Sequence, residues 1–307
     1  AAALTGRETP DVSRRAALVL CADNGVVAQG VSQTGQEVTR AVAENLAMRR
    51  TSVCQMARTA HCDVLPVDMG MAGEPVPGVR SCRIAAGTAD FTQGPAMSRA
   101  EAVQAVGEGI ALARELAEDG YRLIATGEMG IGNTTTSSAV AAVPAGPARG
   151  AYDRARCGLS DEGLAVRWMP LCRGILCNEP DPEDTLDVLQ SLAALISRAC
   201  AVCFWAVHWP VCRCWQMALS AGWPRCAPCG CARRRQRLCL QATARQSLPR
   251  ASCWKHWARH PSLRRGCILG EGTGAVASIP LWDMALAVYG GCYSFAEGGI
   301  APYTPQC

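Results

Sequence analysis

Lysine is almost absent from this sequence: one of its 30 basic residues is Lys, at position 255, and His occurs only four times. No uncharged apolar run reaches the ~18 residues that a membrane-crossing helix needs, and no basic leader with an apolar stretch opens the chain. A soluble, cytoplasmic protein with no membrane partner is therefore expected. Neither a Walker-type phosphate loop nor a Ser/His/Asp arrangement is found, which removes two common routes to phosphate and acyl chemistry. The most informative absence is local. Between Asp187 and Glu271 there is no acidic residue at all, and these 83 residues, 188–270, hold 12 Arg, the Lys, 10 of 19 Cys, 6 of 8 Trp and 3 of 4 His. The remainder carries 17 basic and 26 acidic residues, a net of −9, so the overall charge of +4 belongs to one segment.

Three readings of 188–270 compete. As a zinc module, Cys200 with Cys203 and Cys226 with Cys229 have paired-thiolate spacing, with Cys231, His256 and His260 as spare ligands. As a nucleic-acid patch, the Arg233, Arg234, Arg235, Arg237 run with Trp254 and Trp257 offers cations and stacking faces. The third reading is a shifted reading frame. In a GC-rich gene, CTG read one base late gives TGG (Trp) or TGC (Cys), and acidic GAN codons disappear. That single cause accounts for the Trp, the Cys and the missing acids together, so no metal and no nucleic-acid partner is expected.

What is present organises around Gly127-Glu128-Met129-Gly130-Ile131-Gly132-Asn133-Thr134-Thr135-Thr136. It follows the apolar run Leu123-Ile124-Ala125-Thr126 and precedes a small-residue helix pattern over 136–143, so it reads as strand, glycine turn and helix start. Such a junction is a phosphate cradle. Glycines let backbone N–H groups approach an anion, the first helical turn has unsatisfied donors, and hydroxyls add more. Glu128 is an acid where a loop reading only phosphate would avoid one, which implies a ligand with a second, acceptor-seeking part.

Around this stretch, 16–22 has a buried-strand pattern ending at Asp23-Asn24-Gly25, and 62–68 resembles a second strand. The segment 37–48 is helical, with apolar positions at Val38, Val42 and Leu46. Ser98-Arg99-Ala100-Glu101 is a capping box opening a helix to about residue 118, with Ala102, Val106, Ile110 and Leu116 facing inward, and Gly120 ends it. Alternating strands and helices predict an α/β fold, a mainly parallel, Rossmann-like sheet with helices on both faces in three layers, residues 188–270 being aberrant. The Pro/Gly/Ala stretch 144–150 is a linker. Residues 1–187 form the α/β core with the phosphate loop, and 271–307 a C-terminal segment of the same domain. Pro170 and Pro280 are expected to interrupt or kink their helices.

Three motifs, Asp90-Phe91-Thr92-Gln93-Gly94-Pro95-Ala96-Met97, the glycine-rich stretch above and Leu269-Gly270-Glu271-Gly272-Thr273-Gly274, resemble the nicotinate-nucleotide–dimethylbenzimidazole phosphoribosyltransferase family. The resemblance covers 16–187 and 268–300 but not the stretch between; the family's longer N-terminal region implies a truncated start, and the family has His where Asn24 stands. It implies phosphoribosyl transfer from nicotinate mononucleotide to dimethylbenzimidazole, giving α-ribazole 5'-phosphate for cobalamin nucleotide-loop assembly, with no cofactor and as a homodimer. Carried over by motif, Glu271 is the catalytic base. Glu128, Gly130, Gly132, Asn133, Thr134, Thr135, Arg167, Gly272 and Gly274 bind the mononucleotide, and Thr34 neighbours the base. Alternatives are an inactive, frame-shifted member, or a zinc- or nucleic-acid-binding protein acting through 200–260.

Overall fold

A computed structural model describes residues 7–143, 161–196, 215–218, 240–241 and 270–301. β1 (Arg15–Ala22) is buried along its whole length, as a central strand must be. It pairs in parallel with β2 (Asp63–Gly70) on one side and β4 (Leu123–Met129) on the other. β3 (Arg80–Ser81), β5 (Trp215–Ala218) and β6 (Leu240–Gln241) complete a six-stranded sheet in the order β3-β2-β1-β4-β5-β6, every pair parallel. The order reverses between β1 and β4. In open α/β sheets the crevice outside the carboxyl ends of strands at such a point is where ligands bind.

Period-two alternation gives each strand two buried faces. Leu18, Leu20, Val67, Met69 and Ile124 pack against α3 (Arg99–Glu118), α4 (Asn133–Ala142), α5 (Asp161–Asn178) and α6 (Thr185–Leu192). Val19, Cys21, Val64, Leu123 and Ala125 pack against α1 (Glu37–Ala47), α2 (Ser52–Thr59) and α7 (Thr273–Gly291). The three-layer α/β expectation holds, and both faces need cover because neither carries polar residues that could face water. β5 and β6 lie inside 188–270, so that segment contributes to the sheet. The cysteine pairs, the Arg233–Arg237 stretch and the linker 144–150 fall outside the described residues.

Several boundaries differ from the sequence expectations. β4 continues to Met129 because Glu128 and Met129 pair with Leu20 and Cys21 of β1, leaving only Gly130-Ile131-Gly132 as the turn. α4 therefore starts at Asn133. α1 buries Thr39, Ala43 and Leu46, with Val42 packed partly buried against the same core and Val38 half-buried. α3 opens with the expected capping box, Ser98 Oγ accepting from the Glu101 N–H at 3.2 Å, and its inner face turns to include Ala105, Leu112 and Ala113 beside Ala102 and Leu116. Pro170 and Pro280 lie inside continuous helices, each at the cost of a backbone hydrogen bond. Among the described residues no helix is long and apolar enough to cross a membrane.

α7 is tied to the sheet by charge as well as packing. Arg15, almost fully buried at the start of β1, makes a two-pronged ion pair with Asp283 of α7 and donates to the Ala60 carbonyl at 3.1 Å. A buried guanidinium needs that partner, because leaving it unpaired strands a desolvated charge.

Candidate active site

Two glycine turns meet at the carboxyl edge of the sheet. The first follows β4: the Asn133 N–H donates to the Gly130 carbonyl at 3.0 Å, and the Thr135 and Thr136 N–H groups donate to that of Gly132 at 3.0 and 3.2 Å. Gly132 caps α4 with φ of 88°, a left-handed conformation in which a side chain is strained. A Cβ on Gly130 would run into the Ala22 carbonyl oxygen of β1. In the first turn of α4, Thr134 is exposed, while Thr135 and Ser137 are buried with hydroxyls that have no hydrogen-bond partner among the described residues. A helix N-terminus with uncommitted hydroxyls is suited to an anion.

The second turn, Gly270-Glu271-Gly272, feeds α7 with the same bonding. Thr273 N–H donates to Gly270 at 3.0 Å, and Ala275 and Val276 donate to Gly272 at 3.0 and 3.1 Å. The two turns are stacked backbone to backbone. A Cβ on Gly127 would lie 2.6 Å from the Glu271 carbonyl carbon, and one on Gly272 would lie 2.9 Å from the Gly127 Cα. Only glycine at both positions permits the approach, which places the Glu271 backbone against Gly127 of β4, the residue that precedes Glu128 in the chain.

Glu271 itself has φ of 62°, one of four non-glycine residues in the left-handed region among those described. For a residue with a Cβ this conformation costs of the order of 1–2 kcal/mol. Its carboxyl is half-buried, and burial raises its pKa above the usual range, against the Thr51 hydroxyl and the Val53 N–H, which hydrogen-bond the charged form. Thr51 caps α2, so the carboxylate also faces a helix N-terminus. Its Oε2 is buried with no hydrogen-bond partner among the described residues, an acceptor left for something else.

The end of β1 supplies a third group. Asp23 accepts the Ala72 N–H at 2.8 Å, and burial raises its pKa, opposed by that bond and by the Thr39 hydroxyl. Asp68 beside it is paired with Arg83 at 2.8 Å and accepts the Gly70 and Met71 N–H groups at 2.9 and 2.7 Å. Cys21 lies between these acids: burial first, then the fields of Asp68, Glu271 and Asp23, keep its thiol protonated. Among the described residues no group of three or more His, Cys, Asp or Glu is arranged to hold a metal ion.

A phosphoribosyltransferase family model matches residues 1–300. Two proteins named nicotinate-nucleotide–dimethylbenzimidazole phosphoribosyltransferase are similar across the chain. That of Ruminiclostridium cellulolyticum is 33% identical over 314 residues, covering 99% of this chain and 87% of its own length. That of Chloroflexus aurantiacus is 36% identical over 310 residues, covering 98% and 86%. The crystal structure of the enzyme of that name from Thermus thermophilus superposes with a TM-score of 0.84 at 30% identity, over 98% of this chain and 90% of that one. The chain belongs to the nicotinate-nucleotide–dimethylbenzimidazole phosphoribosyltransferase family. The matched span is wider than the motifs indicated, since it runs through 188–267 and includes the first 15 residues.

Of the site residues carried over from that family, the structure gathers Glu271, Gly272, Glu128, Gly130, Gly132, Asn133, Thr134 and Thr135 at one edge of the sheet, with Gly274 buried in the first turn of α7. Thr34 is exposed, in contact with Ser32 at 3.3 Å in the loop before α1. Arg167 belongs to α5, but its side chain lies outside the described residues. Two contributors lay outside every motif, Thr51, which steadies the Glu271 carboxylate, and Thr39, which bonds the Ile131 N–H at 3.1 Å, while Gly127 lay inside the glycine-rich motif without any sign that it admits the Glu271 turn. For Thr39 a signal existed, a polar residue at helical spacing from Ala43 and Leu46.

Proposed function

We propose that this chain transfers the phosphoribosyl group of nicotinate mononucleotide to 5,6-dimethylbenzimidazole. An unprotonated ring nitrogen of the benzimidazole attacks the anomeric carbon. The glycosidic bond to the nicotinate nitrogen breaks, its electron pair leaves with nicotinate, and the product is α-ribazole 5'-phosphate. Attack makes the acceptor's other N–H acidic, and that proton goes to Glu271 Oε2. The single observation that carries this reading is the half-buried Glu271 carboxylate, one oxygen unsatisfied, on a turn stacked against the strand that leads into the anion cradle. Its raised pKa suits it to accept a proton nearer neutrality than an exposed glutamate would.

The other roles follow from charge. Gly130, Gly132, Asn133, Thr134 and Thr135 hold the 5'-phosphate at the start of α4, and Arg167 adds a cation. Gly272 and Gly274 let the backbone come close to the sugar. Glu128 faces the positive charge that develops on the anomeric carbon as the leaving group departs. Thr34 borders the acceptor base. No cofactor takes part, and the enzyme works in the cytoplasm as a homodimer. The second half of α7 and the residues after it support that assembly, since Met284, Val288, Tyr289 and Tyr293 are 57–71% exposed, an apolar surface of the kind that marks association.

The test is formation of α-ribazole 5'-phosphate by the purified full-length chain from both substrates. Glu271→Gln is expected to lower kcat by roughly 10²–10⁴ with the KM for nicotinate mononucleotide little changed, the range for a lost general base. A Glu271→Gln protein as active as the parent overturns the assignment.

A further inference from the structure

The glycine turn has one residue with a side chain, Ile131, and both of its backbone groups are held by side chains from elsewhere. Thr39, fully buried on the inner face of α1, accepts the Ile131 N–H at 3.1 Å. Asn24, equally buried at the end of β1, donates its amide to the Ile131 carbonyl at 2.8 Å. The Asp23 carboxyl on the same side of the turn is fixed through Oδ2, which accepts the Ala72 N–H at 2.8 Å, while its Oδ1 has no hydrogen-bond partner among the described residues. Asn24 is held in turn, its own carbonyl accepting from the Gln36 side chain at 2.9 Å at the entry to α1.

The flanking glycines cannot hold this shape alone. Glycine gives up more conformational freedom on ordering than any other residue, so a turn built on two of them needs external fixing. Threonine is well suited to supply it. Its branched side chain is stiff about χ1, and a fully buried hydroxyl that accepts the Ile131 N–H has little reason to move.

We propose that Thr39 is a positioning residue for the transfer reaction: it locks the Gly130-Ile131-Gly132 turn in the shape that receives the phosphate, without touching substrate. The role of the turn rests on the function proposed above; the clamp itself does not. Two measurements on the full chain separate them. In the unliganded protein, Thr39→Val removes the hydroxyl at nearly constant volume and should speed hydrogen exchange at the Ile131 amide by about tenfold, the scale of one lost buried hydrogen bond, while Thr39→Ser stays within about twofold of the parent. Unchanged exchange in Thr39→Val overturns the clamp. In the assay, Thr39→Val should raise the KM for nicotinate mononucleotide about tenfold, with kcat and the KM for dimethylbenzimidazole within about twofold, and Thr39→Ser should restore it. A fall in kcat alone, or an equal change in both KM values, overturns the positioning role. If the parent does not turn over, the proposed function fails by itself and the exchange measurement still decides the clamp. Should Thr39→Val not fold, Thr39→Cys, with a much weaker acceptor of similar size, takes its place.

Discussion

The two glycine turns have one backbone pattern and opposite chemistry. Each starts with a glycine carbonyl capped from three residues on, each ends in a left-handed glycine, φ 88° at Gly132 and 84° at Gly272, and each launches a helix. They differ in the residue between. Ile131 is clamped through its own N–H and carbonyl, and the turn leaves helix donors open to an anion. Glu271 is forced to φ 62° and pressed against Gly127, and the turn presents an acid. On the function proposed above, one scaffold serves as an anion receiver or a proton acceptor according to the residue it carries in the middle. Strain of this kind gathers where function over-determines a conformation.

The comparison can be broken most severely at the point of contact. Gly127→Ala puts a methyl group against the Glu271 backbone, where no flexible side chain can yield; we expect a loss of about 3 kcal/mol in denaturant unfolding and turnover reduced to background. Gly132→Ala strains only the anion-receiving turn and should cost about 1–2 kcal/mol, with a raised KM for the mononucleotide and kcat retained. Glu271→Gln sharpens the contrast through pH. The folded-state pKa of Glu271 is raised, so its carboxyl favours folding when protonated and that advantage is lost as pH rises through the folded value. The Gln variant should therefore melt a little higher than the parent at pH 8, the gap closing as pH falls through the raised folded value and being gone once it is below the ordinary carboxylate range. The parent's kcat/KM should fall on the acid side at a pH above that of an exposed glutamate. The smallest effect is expected at Thr34, exposed outside both turns: Thr34→Val should change the KM for dimethylbenzimidazole by less than about threefold.

Sequence pattern revealed the parts that depend on neighbours in the chain. The Ser98/Glu101 capping box, the glycine turn before Asn133 and the isolated Glu271 between glycines are local signals, and each lies at the start of a helix as its pattern indicated. What it missed depends on distant partners. Gly127 and Glu128 resembled the start of a turn, yet pairing with Leu20 and Cys21 carries β4 to Met129. Apolar periodicity marked Val38, Val42 and Leu46, of which Leu46 is buried and Val42 packs against the core, but it gave no sign that Thr39, bonded to Ile131, is buried more deeply than either valine. Hydrophobic spacing ranks a threonine as surface; its hydroxyl becomes a core group only when a partner from another element is present. The contact of Gly127 with Gly272 joins the middle of the sequence to its last part and leaves no periodic trace in either.

The ion pair between Arg15 and Asp283 spans 268 positions of the chain. The first strand can meet its counter-charge only once α7 has been made, and until α7 settles the Glu271 turn is not held against Gly127. On the function proposed above, detachment of α7 would stop turnover while the central strands stayed paired, so lost activity is expected as the earliest sign of thermal damage, ahead of any spectroscopic change in the sheet.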